Sequence, residues 1–222
     1  LIDNTGIASD EKGLSMHLKN KEIKKVLLTA PVKGGLKNIV YGVNHDDIQE
    51  TDKIIGAASC TTNAIVPVLS AIDTKYTIDN GHVETVHAYT NDQNLIDNYH
   101  SKNRRGRAAA LNMVLTETGA ASAVSQVLPN LNGKISANAI RVPTPNVSLA
   151  ILKLYLEKPS SLEEFNEFLK QTAFHSLLKD QIDFSISTEN VSSDFVGSKY
   201  ASVIDGQSTI VNDRNVVVYV WY

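Results

Sequence analysis

The sequence contains a single cysteine, so no disulfide bond can form within the chain. This excludes the class of small secreted domains held together by disulfides and predicts a reducing compartment, the cytoplasm. No apolar run approaches the roughly 18 residues that cross a bilayer. The start of the chain has no basic flank followed by an apolar segment, so neither a membrane span nor a signal peptide is expected.

An excess of charge is also missing, because 24 acidic residues are balanced by 21 Lys and Arg, for a net charge of −3. This balance argues against general affinity for nucleic acid, although the basic cluster at residues 104–107 is free to bind a small anion. Internal repeats and low-complexity tracts are absent. With 222 residues, 42% of them hydrophobic, the chain is long enough to bury a large core.

The two ends of the sequence resemble interrupted elements. Residues 1–6 have the pattern of a buried strand entering a turn, and residues 216–222 form an apolar strand with no closing turn. Natural domains seldom begin and end within an element. We therefore expect the sequence to be a fragment of a longer protein.

Hydrophobic patterning divides the chain near Cys60. Before it, strand and helix patterns alternate, with a helix predicted at 10–20 and strands at 1–5, 25–29, 39–43 and 54–58. After it, extended segments dominate. Helices are predicted at 60–72, 119–127 and 161–174, and strands at 81–89, 135–142, 147–157, 201–205, 209–211 and 216–222. The pattern predicts an α/β portion over residues 1–59 and an α+β domain over residues 60–222 with a mostly antiparallel or mixed sheet.

Cys60 lies where a strand of small residues meets the start of an apolar helix. The first turn of a helix has unpaired N–H groups and partial positive charge, which favour a thiolate and can hold an oxyanion. Cys60 is therefore a candidate nucleophile. A lone cysteine is more often a small buried hydrophobic residue. The hydroxyl and amide side chains around it argue against simple burial.

A thiol nucleophile needs a base or a positive partner, and His87 is the best placed of the six histidines. It ends an alternating strand and precedes a polar loop at residues 90–111, which is too long for a simple connection. The alternative is a histidine that merely completes its hydrogen bonds at the end of a strand.

Several groups that bind phosphate follow along the chain. Arg105 and Arg141 offer charge, Thr118 and Gly119 begin a helix, and hydroxyls are available at Ser59, Thr61 and Thr90. Each alone is weak evidence, since a solvated arginine is the ordinary case. Together they predict a site for a small anionic molecule.

Five motifs in this order and spacing resemble phosphorylating glyceraldehyde-3-phosphate dehydrogenase. They are Ser59-Cys60-Thr61-Thr62-Asn63, His87-Ala88-Tyr89-Thr90-Asn91-Asp92-Gln93, Arg104-Arg105-Gly106-Arg107-Ala108-Ala109, Thr118-Gly119-Ala120-Ala121 and Arg141-Val142-Pro143-Thr144-Pro145-Asn146-Val147. The resemblance covers essentially the whole chain. It implies that residues 1–59 are the tail of a Rossmann-type dinucleotide-binding domain and residues 60–222 the catalytic domain.

The resemblance also implies a mechanism. Cys60 would attack the aldehyde of glyceraldehyde 3-phosphate to form a thiohemiacetal, and His87 would hold the thiolate and take the hydroxyl proton as hydride passes to NAD. Inorganic phosphate, the co-substrate, would then split the resulting thioester to give 1,3-bisphosphoglycerate. A role in glycolysis follows from the same resemblance.

The other site residues are carried over in the same way. Thr90 and Arg141 resemble the pocket for the substrate's C3 phosphate. The pocket for the attacking phosphate is represented by Ser59, Thr61, Arg105, Thr118 and Gly119. Contacts to NAD are represented by Thr5, Gly6, Thr29 and Asn91. The resemblance implies no metal, a homotetramer, and neither a membrane nor a nucleic-acid partner.

One departure from the family pattern limits these expectations. The Gly-x-Gly-x-x-Gly turn that seats a dinucleotide is absent, so NAD would be bound mostly by residues outside this chain. We expect the fragment alone to be inactive or weakly active. The choice between NAD and NADP stays open. Two alternatives also remain: a relative of erythrose-4-phosphate dehydrogenase, and a non-enzymatic remnant or interaction module that has lost cofactor binding.

Overall fold

A computed structural model describes residues 1–222 and contains two β-sheets and four α-helices. The strands are β1 (Ile2–Asp3), β2 (Val26–Leu28), β3 (Ile54–Gly56), β4 (Ile78–Ala88), β5 (Val114–Thr116), β6 (Ile135–Val142), β7 (Leu149–Leu156), β8 (Ile182–Ser185), β9 (Ser202–Asp205), β10 (Ile210–Asn212) and β11 (Asn215–Trp221). The helices are α1 (Glu11–Leu14), α2 (Cys60–Tyr76), α3 (Ala120–Val127) and α4 (Leu162–His175). None of these helices combines the length and apolarity needed to span a bilayer.

Strands β1, β2 and β3 form a small parallel sheet in the first part of the chain. Its core consists of five buried residues, Leu14, Val26, Leu28, Val32 and Ile54. The helix predicted at 10–20 is shorter in the structure: α1 covers a single turn, and a 3-10 turn follows at His17–Lys19. Gly13 falls inside this segment and lowers its helical stability.

The strand predicted at 39–43 is wrong. Only an isolated bridge between Asn38 and Gly56 forms there, and residues 41–44 turn. Gly42 adopts a φ of +84°, a left-handed conformation that ends an extended segment. The preceding Val40 is fully buried and belongs to the core of the second, larger sheet.

The larger sheet has the order β5-β6-β4-β7-β11-β9-β8, and β10 pairs with β11. Its pairs are antiparallel except β4 with β6 and β8 with β9, so the predicted mixed sheet in an α+β fold is confirmed. Its core contains 29 buried residues. Two strands, β5 and β8, are absent from the sequence prediction because each has only three or four residues.

Strands β4 and β6 determine where two predicted site residues lie. Their parallel register pairs His87 with Arg141 near the carboxyl ends of both strands. Paired residues of adjacent strands project to the same face of a sheet. A catalytic candidate and an anion-binding candidate 54 residues apart are thereby placed side by side.

Candidate active site

The turn that leads into α2 positions the thiol. Strand β3 ends at Gly56, and Ala58 has a φ of +57°, a conformation that residues other than glycine rarely adopt. The Asn63 amide donates to the carbonyl oxygens of Ala57 at 2.7 Å and Ser59 at 2.9 Å, which ties down both sides of the turn. Ser59 caps the helix, because its Oγ accepts the N–H of Thr62 at 3.1 Å.

Cys60 is the first residue of α2, as predicted, and its side chain is exposed rather than buried. The interpretation as a small core residue is therefore wrong. Its Sγ lies 3.7 Å from Nε2 of His87, which is within hydrogen-bonding distance for sulfur. The structure thus brings together the two predicted catalytic residues at the positive end of a helix.

Hydrogen bonding determines which nitrogen of His87 carries the proton. Nδ1 lies 2.7 Å from the carbonyl oxygen of Ala88, which can only accept, so Nδ1 must be the donor. Arg141 Nη1 is also 3.1 Å from Nδ1, but its two hydrogens have acceptors in the Ala88 oxygen and Thr90 Oγ1, each at 3.1 Å. The lone pair of Nε2 is left facing the thiol of Cys60.

The surroundings of His87 favour the neutral imidazole. Burial lowers the pKa of His87 below 6.5, and the nearby charges of Arg141 and Arg105 lower it further. The hydrogen bond to the carbonyl of Ala88 raises the pKa, with an influence smaller than that of burial but larger than that of either arginine alone. A neutral histidine with a free Nε2 at this distance can accept the proton of a thiol.

Arg141 and Thr90 form one part of the predicted anion site. Arg141 Nη1 donates to Thr90 Oγ1 at 3.1 Å, so these two predicted phosphate ligands are adjacent. The Nε of Arg141 is buried and has no hydrogen-bond partner. Burial and the charge of Arg105 both lower the pKa of Arg141. The guanidinium group of Arg141 thus has an unpaired N–H and a second guanidinium group, that of Arg105, nearby. An anion would stabilise this arrangement.

Arg105 is held rigidly in the loop between β4 and β5. It is buried, its Nε donates to Thr116 Oγ1 at 3.0 Å, and its Nη1 forms an ion pair with Asp92. The next residue, Gly106, passes so close to the carbonyl oxygen of Asn98 that a Cβ would collide with it. The glycine in the basic motif thus allows the turn that buries Arg105.

These groups line a cavity of about 430 Å³. The predicted catalytic and phosphate-binding residues that line it are Ser59, Cys60, Thr61, His87, Arg105, Thr118, Gly119 and Arg141. Thr90 is not part of the lining and contacts the site through Arg141. The lining also includes Lys102 and one carboxylate, Glu117, so its charge is predominantly positive. No cluster of His, Cys, Asp and Glu in the structure could hold a metal ion.

The four residues predicted to contact NAD are not brought together in this cavity. Thr5 Oγ1 donates to the carboxylate of Asp3, and Thr29 Oγ1 donates to the carbonyl oxygen of the same residue. Gly6 lies in the turn after β1, and Asn91 is exposed after β4. From residues 1–59, the cavity wall includes Pro31, Val32 and Asn38, together with Ala58 and Ser59 next to Cys60.

Sequence reasoning missed three residues that support the site. Asp92 and Asn63 stand inside the quoted motifs, but nothing in the sequence shows that they bond to Arg105 and to the turn before Cys60. The third, Tyr222, bonds to Thr61 across 161 residues of sequence. An aromatic residue at the end of an apolar strand is the only indication that the sequence gives of this contact.

Comparison with known proteins agrees with this geometry. A family model described as the C-terminal domain of glyceraldehyde 3-phosphate dehydrogenase matches residues 59–222. The chain belongs to the glyceraldehyde-3-phosphate dehydrogenase family. The predicted resemblance is therefore confirmed, and the matched residues begin at the serine that caps α2.

Relatives within the glyceraldehyde-3-phosphate dehydrogenase family match the whole chain. It is 64% identical to a glyceraldehyde-3-phosphate dehydrogenase-like protein of Pseudomonas aeruginosa and covers 48% of that protein. It is 42% identical to glyceraldehyde-3-phosphate dehydrogenase 2 of Trichormus variabilis, covering 66% of it. Identity to the chloroplastic glyceraldehyde-3-phosphate dehydrogenase A of Zea mays is 44%, with 55% of it covered. The chain thus spans about half to two thirds of these relatives' length.

Proposed function

We propose that this chain supplies the catalytic thiol and phosphate-binding groups of a phosphorylating aldehyde dehydrogenase that acts on glyceraldehyde 3-phosphate. One observation carries the proposal: the cavity that contains the Cys60 and His87 pair also contains the guanidinium groups of Arg105 and Arg141. A thiol and base activate a carbonyl carbon, and the two arginines suit a substrate and a co-substrate that both bear phosphate.

The first step follows from the contacts of Cys60. His87 Nε2 accepts the thiol proton, and the sulfur attacks the aldehyde carbon to form a thiohemiacetal. N–H groups of the first turn of α2 stabilise the developing oxyanion. Arg141 and Thr90 bind the phosphate at the far end of the aldehyde and hold its carbonyl carbon near the sulfur.

The last step uses the remaining phosphate-binding groups of the cavity. Arg105, with the hydroxyls of Ser59, Thr61 and Thr118 and the N–H groups at the start of α3, binds inorganic phosphate. A phosphate oxygen attacks the thioester carbon, the carbon–sulfur bond breaks, and the acyl phosphate leaves. The thiolate of Cys60 is regenerated.

The oxidation between these steps would require a bound NAD, whose chemistry is hydride acceptance. The Gly-x-Gly-x-x-Gly turn that seats a dinucleotide is absent from this chain, and Thr5, Gly6, Thr29 and Asn91 do not line the cavity of Cys60. Mixed alone with NAD, phosphate and glyceraldehyde 3-phosphate, the chain is expected to form almost no NADH.

Assembly into a homotetramer is part of the same proposal. Along β7 and β11, alternate residues are buried under the helices, whereas the residues between them, such as Ile151 and Tyr219, are only partly buried. This leaves an apolar sheet face with no helix over it, which suits a second copy. Sedimentation of the protein measures the assembly. The cytoplasmic location stays a prediction.

The proposal is tested through an acyl-transfer step that needs no NAD. When the chain is mixed with 1,3-bisphosphoglycerate, the Cys60 sulfur should attack the acyl carbon and release phosphate, leaving a thioester that mass spectrometry detects. Cys60→Ser is the control for acylation elsewhere. Equal acylation of both proteins would contradict the proposed function and favour a non-enzymatic role. For the complete enzyme, a higher kcat/KM for erythrose 4-phosphate would overturn the substrate assignment.

A further inference from the structure

Tyr222 forms a hydrogen bond with Thr61, one of the residues that line the cavity. Its hydroxyl lies 2.9 Å from Oγ1 of Thr61, which is the residue after Cys60. Thr61 lines the cavity, whereas Tyr222 does not. Tyr222 therefore contacts a proposed phosphate ligand from behind without reaching the space where a substrate would lie.

The same tyrosine contacts the strand that carries the base. Its ring meets His87 edge to face, with centroids 5.9 Å apart and an interplanar angle of 83°. Its backbone exchanges two hydrogen bonds with Ser148, of 2.7 and 2.9 Å. Ser148 Oγ accepts the N–H of Ala88 at 3.1 Å, next to His87. Tyr222 thus connects the helix that carries the thiol to the strand that carries the base.

We propose that Tyr222 is a positioning residue with two separable parts, a hydroxyl that orients Thr61 toward phosphate and a ring that holds His87 in place. The hydroxyl part rests on the proposed function, because it assumes a phosphate beside Thr61. The ring part is independent of the proposed function, because it concerns only the contact between Tyr222 and His87. Neither part requires Tyr222 to touch a substrate.

Either hydroxyl could donate in the bond between Tyr222 and Thr61, and the proposal takes Tyr222 as the donor. When Tyr222 donates to Thr61 Oγ1, the threonine's own O–H is free to donate to an oxygen of the anion. Burial raises the pKa of Tyr222 to about 12, so the phenol keeps its proton throughout the neutral range. Thr61 has no other hydrogen-bond partner for its side chain, so this contact fixes the orientation of its hydroxyl.

The hydroxyl is tested with Tyr222→Phe, which keeps the ring and removes the donor. The probe is inorganic phosphate, and the measurement is the phosphate concentration that half-protects Cys60 from alkylation by iodoacetate. Loss of one hydrogen bond that orients a phosphate ligand is expected to raise this concentration roughly three- to tenfold. Thr61→Val is expected to raise it by a similar factor, and the double variant by no more than Thr61→Val alone.

The ring is tested by the pH profile of Cys60 alkylation with neutral iodoacetamide, without phosphate. Tyr222→Phe is expected to keep the wild-type profile, and Tyr222→Leu to shift it because His87 loses its edge-on contact. A shift counts as evidence for the ring contact only where Tyr222→Leu keeps its fold. Circular dichroism confirms that both variants are folded.

The outcomes separate this inference from the proposed function. No phosphate protection in the wild-type chain would overturn the phosphate site and the hydroxyl part with it. Normal protection in the wild type together with unchanged protection in Tyr222→Phe would overturn the hydroxyl part alone. Identical alkylation profiles for the wild type and Tyr222→Leu would overturn the ring part.

Discussion

The two sheets of the molecule differ in how much core supports them. The parallel sheet of β1, β2 and β3 covers five buried residues, whereas the mixed sheet covers 29. The thiol, the imidazole and both cavity arginines lie on α2 and on elements connected to the larger sheet. The residues predicted to contact NAD lie mostly on the smaller one. The residues proposed for acyl transfer therefore lie in the well-packed region, and most of the residues predicted to contact NAD lie beside the weakly packed sheet.

The largest expected effect concerns His87, the proposed base on the larger sheet. His87→Asn removes the base from Cys60 and is expected to slow its acylation by 1,3-bisphosphoglycerate roughly 10²- to 10⁴-fold. His82→Asn is the matched control, because His82 lies on the same strand and bonds to Ser136 at 2.8 Å and Asn138 at 2.7 Å. Equal acylation rates for both variants would show that His87 is not the base for Cys60.

The difference in packing can be tested with two leucines. Leu69 is fully buried in the larger core, and Leu28 is almost fully buried in the smaller one. Each change to alanine is expected to cost about 2–5 kcal/mol in its own region. We expect Leu69→Ala to lower the urea unfolding midpoint measured by the fluorescence of Trp221, which is the only tryptophan and lies on β11 of the larger sheet. Leu28→Ala should leave that midpoint near wild type while proteolysis of residues 1–56 increases. Equal shifts would show that both sheets unfold as one unit.

A smaller effect is expected from the cavity arginine that Asp92 holds. Arg105→Lys keeps the charge but loses the planar fork that bonds to Thr116 and Asp92 together. The phosphate concentration that half-protects Cys60 is expected to rise about tenfold, the size of a lost charge-assisted hydrogen bond. The neighbouring Arg104 is exposed, so Arg104→Lys is the matched control. An effect of equal size in both variants would contradict a specific site at Arg105.

The smallest effect is the contribution of His87 to the pH dependence of stability. Burial and the two arginines lower its folded pKa below 6.5, so the unfolded chain protonates it at a higher pH than the folded chain does. The stabilisation is present above pH 6.5 and is lost as the pH falls through the lowered pKa. Urea unfolding at pH 8 and pH 5.5 measures this contribution to the free energy of unfolding. The wild type should lose more stability than His87→Gln, and equal losses would contradict the prediction.

The start of α2 could be predicted because several local patterns agree there. A strand of small residues, a capping serine and an apolar run all indicate a helix that begins at Cys60. The sequence does not indicate strand β8, because its four residues contain only two apolar side chains, Ile182 and Phe184, which is too short an alternation to recognise. The strand predicted at 39–43 failed because Gly42 turns the chain and Val40 packs into the larger core. Tertiary packing there outweighs local preference.

The residues of the candidate site could be predicted from the sequence, but the hydrogen bonds and ion pairs that support them could not. The motifs include Cys60, His87, Arg105 and Arg141, and the structure places all four in one cavity. Their supporting bonds depend on loop conformation and strand order, which single-residue patterns do not encode. The bond between Thr61 and Tyr222 is one example, since it spans 161 residues.

The parallel register of β4 and β6 fixes the distance between two residues of the candidate site. The register pairs His87 with Arg141, and adjacent strands lie about 4.8 Å apart, so the base and the arginine that would bind the far phosphate are kept at a set separation. A slip of one residue would turn one of the two side chains to the opposite face of the sheet. In the proposed function, the backbone hydrogen bonds of this strand pair therefore help to set the distance between the base and the group that binds the far phosphate.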